Sequence, residues 1–212
     1  MYDDTGAHVP VPPVVARVVS LVPSLTESVA ASAPGLLVGA TDWCSHPPDL
    51  EVTRVKGTKS PDLAVVAVPY DGHADLLRSW ARSLAGKVVV DCVNPLGFDQ
   101  QGAYALPVAD GSAAQEAAAI LVDSTVVAAF HHVSAALLDD PEVSSVDTDV
   151  LVLGDDRDAT DLVASLADVV PGMRGVYGGR LRNAHQVEAL TANLISVNRR
   201  YKAHAGIRVT DI

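Results

Sequence analysis

A chain of 212 residues with 49% hydrophobic and 19% charged residues can bury a core, as one domain or as a large and a small one. Its formal net charge of -11 and isoelectric point near 4.8 argue against a nucleic-acid partner, because binding a phosphate backbone needs clustered Lys and Arg. The two cysteines, Cys44 and Cys92, each lie in an apolar segment rather than in a C-x-x-C pair, which predicts reduced core thiols.

The opening MYDDTGAHVPVPPVVA places Asp3 and Asp4 where a secretory signal needs basic residues, and its prolines interrupt any apolar run. Residues 1–16 are therefore expected to be a disordered tail of a cytoplasmic protein. No apolar run approaches the roughly 20 residues that a membrane helix needs, so no membrane partner is expected.

Beyond the tail, short Val-rich runs (RVVSLV, LLVGAT, LAVVAVP, KVVVDCV, STVVAAF and DVLVLG) alternate with helical patterns at residues 25–33, 73–84, 112–121 and 158–169. That alternation predicts an α/β fold: a doubly wound, Rossmann-like parallel sheet covered by helices on both faces. Its first corner, RVVSLVPSLTES, reads as a strand turning into a helix, with Ser24 and Glu27 forming a capping box behind Pro23. A nucleotide-binding fold keeps a glycine-rich phosphate loop at this corner, but none is present. Glu27 already supplies negative charge to the turn and would repel a phosphate. Asp42 lies near the spacing of a ribose-contacting acid, a weak indication without the glycines.

Three later strand exits are more informative. LAVVAVPYDGH runs into Pro69 and Tyr70, with His73 at a helix start, on the edge where parallel sheets bind ligands. VVVDCVNPLGFDQQGAYALP leaves its strand through a loop longer than a structural connection needs, so residues 94–98 are candidates to line a pocket. VVAAFHHVSAALL places His131 and His132 directly after a strand. Adjacent side chains diverge and no further ligand lies at metal-binding spacing, so no metal is expected. No G-x-S-x-G elbow supports a serine hydrolase. The acids of LGDDRDATD are expected to cap a helix. The last third, AHQVEALTANLISVNRRYKAH, repeats Val187, Leu190, Leu194, Ile195 and Val197 at helical spacing. It predicts a long helix capped by Asn183, in a small helical C-terminal domain.

From Asp62 onward the chain resembles the NADP-dependent reductases of the deazaflavin coenzyme F-420. The likeness lies in DLAVVAVPYDGHADLL, GKVVVDCVNPLGF, GSAAQEAAAIL, VVAAFHHVSAALL, VLVLGDD and GRLRNAHQVEALTANLISVNRRYKAHAGIRVT, which occur in the family's order. The resemblance implies hydride transfer between NADP(H) and coenzyme F-420, for which no side-chain acid or base is obligatory, so no catalytic residue is assigned. By position, Ala67, Val68, Pro69, Tyr70 and His73 resemble the strand end and turn flanking the dinucleotide. Asn94 and Pro95 resemble the loop over the nicotinamide, and His131, Ser134 and Ala135 the junction of the two coenzymes. Ala205, Gly206 and Ile207 match the tract against the deazaflavin. The family often has Thr and Pro where this chain has His132 and Ser134.

Residues 17–62 instead resemble the opening of periplasmic cobalamin- and metal-chelate-binding receptors, through SLVPSLTE, TDWC and GTKSPDL. The chain thus reads as a junction near Asp62, with the receptor-like piece replacing the first βαβ half of a Rossmann-like domain at residues 17–147. Residues 148–212 are the expected deazaflavin-side and dimerisation domain, and a homodimer is expected. Three readings stay open on the sequence: a reductase with impaired NADP(H) binding, a non-enzymatic remnant of the receptor, and an inactive dimerisation module.

Overall fold

The computed structural model describes residues 18–20, 37–40, 53–54, 63–140 and 142–212. The corner at Ser24 and Glu27, the expected helix at 25–33, Asp42, Cys44 and the junction residue Asp62 lie outside the described residues.

An eight-stranded sheet forms the centre. Its strands are β1 (Val18–Ser20), β2 (Leu37–Ala40), β3 (Thr53–Arg54), β4 (Leu63–Val66), β5 (Val88–Asp91), β8 (Thr125–Ala128), β9 (Thr148–Leu153) and β10 (Met173–Gly179). A separate hairpin pairs β6 (Leu96–Asp99) with β7 (Gly102–Ala105). Across the sheet the order is β3-β2-β1-β4-β5-β8-β9-β10. β1 and β4 are parallel neighbours, and from them the chain winds outward in both directions, the doubly wound order in which ligands bind where the winding reverses. The strand that follows the expected junction is therefore fully paired, Leu63 to Val66 lying against Val88 to Asp91 on its other side.

Near-continuous Val and Leu runs suit these strands because both faces are covered. Successive residues point to opposite faces, and the core divides accordingly. Ala64, Val66 and Val89 join one cluster with Leu77, Leu84, Ala113, Ala117 and Val187. Leu63, Val65, Val88 and Val90 join the other with Val150, Val152, Ala159 and Val163. The first face is covered by α1 (His73–Leu84), α2 (Ala113–Ile120) and α5 (Ala184–Tyr201), the second by α4 (Arg157–Ala167). A single turn, α3 (Ala135–Leu138), follows β8.

Several expectations meet the structure closely. The predicted helices at 73–84, 112–121 and 158–169 correspond to α1, α2 and α4. Asp156 caps α4 by accepting from the Ala159 N–H at 2.8 Å, as the acids of LGDDRDATD suggested. Others differ. The loop expected after β5 is the β6–β7 hairpin, turned over Gln100 and Gln101. There Asp99 accepts from the N–H groups of Gln101 and Gly102, and Gly102 takes the positive φ of 122° that the turn requires. Asn183 makes no side-chain capping bond, because a 3-10 turn at Leu181–Asn183 leads straight into α5. β10 was not expected, and its three glycines dilute the apolar signal. Gly175 is required there: a Cβ would lie 2.4 Å from the Ala164 Cα of α4. β9 joins β8 antiparallel at Ala128–Leu153 and pairs β10 in parallel, so the sheet is mixed, and strands from both sides of residue 148 share it.

Candidate functional site

The carboxyl ends of β4 and β5 open onto a cavity of about 760 Å3, within the size range of small-molecule sites. Pro69, Tyr70, Asp71 and Gly72 line it from the β4 exit, Ala74 and Asp75 from α1, and Asn94 from the β5 exit. Leu96, Phe98 and Leu106 contribute from the hairpin side and Glu116 from α2. The hairpin is drawn over the β5 exit by the Leu106 N–H, which donates to the Pro95 carbonyl at 2.9 Å. Among the described residues, three acids and no Lys, Arg or His line the cavity.

Behind it lies a buried polar chain. His73 Nε2 sits 2.8 Å from Asp91 Oδ2, with both side chains 0% exposed, and its Nδ1 sits 3.3 Å from Glu116 Oε1. The Tyr70 hydroxyl donates to Glu116 Oε2 at 3.1 Å. Burial opposes charge on His73, but the Asp91 and Glu116 carboxylates outweigh it and raise the imidazole above its ordinary pKa. Burial raises the Tyr70 phenol, and the Glu116 charge adds to that. On the next turn, Glu188 of α5 accepts from the Ala113 and Ala114 N–H groups at 3.0 and 3.1 Å, joining α5 to the start of α2. Burial pushes the Glu188 carboxyl up to about 7 in spite of these two bonds.

A second polar group continues along the same edge. Asn94 Nδ2 donates to the His131 carbonyl at 2.9 Å, as does the Thr191 hydroxyl of α5. The His131 ring is buried with neither nitrogen hydrogen-bonded, and burial lowers its pKa to about 4, so it is neutral at ordinary pH. His132 Nε2 donates to the Asp149 carbonyl at 2.7 Å. Because β9 runs antiparallel to β8, its first residues stand beyond the β8 carboxyl end, and the C-terminal tail fastens there. The Asp149 N–H donates to Ile207 O at 2.8 Å, and the Ile207 N–H donates to Thr148 Oγ1 at 3.1 Å. Gly206 lies so close that a Cβ would be 2.5 Å from Thr148 Oγ1. The fully buried Asp149 carboxylate accepts from Arg174, Arg208 and the Val209 N–H. Arg174 above all holds it well below the usual carboxylate range.

The residues singled out in the sequence thus fall into two adjoining groups. Pro69, Tyr70 and Asn94 line the cavity, with Pro95 buried beneath the hairpin. The His131 carbonyl is held by Asn94 and Thr191, Ser134 Oγ lies 3.3 Å from His204 Nδ1 of the tail, the Ala205 N–H donates to Asn198 Oδ1 of α5, and Gly206 and Ile207 lie against the start of β9. Ala67 and Val68 are half-buried behind the lining, and Ala135 is exposed at the start of α3. His73 departs from expectation: its side chain is sealed in the core, behind Glu116 and the Tyr70 ring, which line the cavity. Glu116, Asp91 and Asp149 were missed. Asp91 and Asp149 had a signal, since an acid inside an otherwise apolar strand must find a buried partner. Among the described residues no cluster of His, Cys, Asp and Glu suits a metal ion, and no helix is long and apolar enough to cross a membrane.

No protein-family model matches the chain. It is 35% identical over 172 residues to the F420-dependent NADP reductase of Methanothermobacter marburgensis, covering 77% of this chain and 76% of that protein. The chain belongs to the F420-dependent NADP reductase family. The Methanocaldococcus jannaschii reductase of the same name is 34% identical over 158 residues, covering 73% of this chain and 70% of that one. A match over 77% of the chain is longer than residues 62–212 alone, so the likeness crosses the junction expected near Asp62. In fold, the chain is similar to a crystal structure from Arthrobacter sp. FB24 provisionally described as an F420-dependent NADP reductase. The TM-score is 0.77 at 20% identity, covering 93% of this chain and 100% of that one.

Proposed function

We propose that this protein is an oxidoreductase transferring a hydride between NADP(H) and the deazaflavin coenzyme F-420. The observation that carries this reading is the cavity at the carboxyl ends of β4 and β5, beside the winding reversal, in a chain of the F420-dependent NADP reductase family. When both coenzymes are bound, the nicotinamide supplies or takes the hydride at its C4, the deazaflavin at its C5, and a proton is exchanged with water. The protein's part is to hold two rings in contact and keep water out.

The lining fits one portion of the dinucleotide and not another. Leu96, Phe98, Leu106 and Pro69 offer apolar surface to a flat ring, while Asn94 and Glu116 offer hydrogen bonds. Three acids with no cation among the described lining residues disfavour a phosphate in this cavity, so it suits the phosphate-free nicotinamide-ribose portion, whose ring is neutral when reduced and cationic when oxidised. Asn94, held by the His131 carbonyl, would orient the nicotinamide, with Pro95 beneath it. Ala67, Val68, Pro69 and Tyr70 would flank the dinucleotide. The neutral His131, Ser134 and Ala135 would stand where the two rings meet, and Ala205, held by Asn198, with Gly206 and Ile207, held against β9, would face the deazaflavin.

The exposed Val197 and Tyr201 of α5 support a homodimer formed through residues 148–212, and a reaction between two freely diffusing coenzymes suits the cytoplasm. Neither fold nor relatives favour a corrinoid-binding remnant. Titrating the pure protein separately with NADPH and with coenzyme F-420 tests the reading. Saturable binding of both is expected, whereas binding of cobalamin and of neither coenzyme would overturn it.

A further inference from the structure

We propose that His73 is a positioning residue that fixes the Glu116 carboxylate at the cavity wall, where Glu116 accepts hydrogen bonds from the hydroxyls or carboxamide of the nicotinamide-riboside portion of the dinucleotide. This assignment rests on the hydride-transfer reading above.

His73 cannot touch a ligand itself, since its side chain is 0% exposed. It is instead the middle of a rigid chain. Asp91 Oδ1 accepts from the Val93 N–H at 3.0 Å, which locks the carboxylate at the end of β5. Asp91 Oδ2 holds His73 Nε2, and His73 Nδ1 holds Glu116 Oε1. An imidazole ring with both nitrogens engaged has no rotational freedom left, so it transmits the placement of β5 to a side chain on α2.

Of Asp91, His73 and Glu116, it is Glu116 that reaches the ligand space: its side chain is 16% exposed and lines the cavity beside Tyr70. Among the described residues each carboxylate oxygen has one partner, His73 on Oε1 and the Tyr70 hydroxyl on Oε2. A carboxylate oxygen accepts two donors, so each retains one acceptor position. With Asp71 and Asp75 also on the lining and no cation among its described residues, the group that meets Glu116 is an uncharged donor rather than a phosphate. A ribose hydroxyl or a carboxamide NH2 is such a donor.

The test uses two fragments on the intact protein, dihydronicotinamide riboside and adenosine 2′,5′-bisphosphate, titrated by calorimetry. Loss of a hydrogen bond to a charged acceptor weakens binding by about tenfold or more. Glu116→Ala is expected to weaken the riboside by at least that factor and to leave the bisphosphate within about twofold, with His73→Asn giving the same split. In the wild type, the imidazole 15N resonances of His73 are expected to shift when the riboside binds, a readout that needs no variant to fold. Unchanged riboside affinity in Glu116→Ala, equal losses for both fragments, or His73 resonances that do not move would each overturn the proposal. A wild type that binds neither fragment would overturn it too. Failure of the hydride-transfer reading shows separately, as no reduction of coenzyme F-420 by NADPH in a wild type whose fragment titrations still give the split.

Discussion

Replacing Asp149 with Asn asks how firmly charge straps the C-terminal tail to the sheet. The carboxylate is fully buried at the start of β9. It accepts from Arg174 Nε at 3.0 Å and Nη2 at 2.7 Å, from Arg208 Nη1 at 2.6 Å and from the Val209 N–H at 2.6 Å. Asn keeps the shape and one acceptor oxygen but turns an NH2 toward a guanidinium. Losing one charge-assisted bond costs about 1.5–3 kcal/mol. The two guanidinium-bearing side chains are 39% and 41% exposed, so solvent screens the loss, and about 2 kcal/mol is expected. For a chain of this size that lowers the melting temperature by about 4–8 °C.

Calorimetry of the two proteins measures the difference, and hydrogen exchange at Ile207 and Val209 should accelerate with it. Because the folded-state pKa of Asp149 is depressed, its contribution is present above the unfolded-state value of about 3.9 and is lost as pH falls below it. The gap between the proteins should therefore narrow as the solution is acidified below about pH 4. Asp161→Asn, on an exposed i,i+4 pair with Arg157, is the control and should change stability by less than about 0.5 kcal/mol. A loss at Asp149 no larger than the control's, or a gap unchanged in acid, would show that the buried charge does not hold the tail.

Three further outcomes follow from the same packing. Glu188→Gln should cost less stability at pH 8 than at pH 5. The wild-type carboxyl has a raised folded-state pKa of about 7, so its contribution is full below the unfolded value and is lost as pH rises through 7; urea melts at the two pH values check the sign. Leu77→Ala, at a residue 1% exposed in the α1 core, should cost about 2–5 kcal/mol in a urea melt. Gly175→Ala should destabilise β10 against α4, since the added Cβ meets backbone atoms of Ala164, and a melting temperature equal to wild type would contradict that contact.

The sheet was legible because a buried strand in an α/β fold needs an uninterrupted apolar run, and β4, β5, β8 and β9 have one. Helix α1 was equally clear, since the chain passes from Pro69 through Gly72 into an amphipathic pattern. The hairpin was not, because four-residue strands holding Gly97 and Gly102 lack the β-branched run that marks a strand, and only the Asp99 turn fixes their pairing. β10 escaped notice for the same reason, its glycines being chosen by the close approach of α4. Of the site, Pro69, Tyr70 and Asn94 were readable as strand exits. The polar chain behind them was not, because Asp91, His73 and Glu116 lie on three elements and only the packing of α1 and α2 over the sheet brings them together. His73 was expected to flank the dinucleotide, and its side chain is instead buried in the core, since position in a turn does not tell inward from outward.

Direct hydride transfer between the two coenzymes is open to a single isotope measurement. Wild-type protein is mixed with coenzyme F-420 and NADPH bearing deuterium at C4 on both faces, and the reduced deazaflavin is analysed for label at C5. The expected result is one deuterium per reduced deazaflavin, with none lost to water. No reduction, or reduced deazaflavin whose C5 hydrogen comes from solvent, would contradict direct transfer.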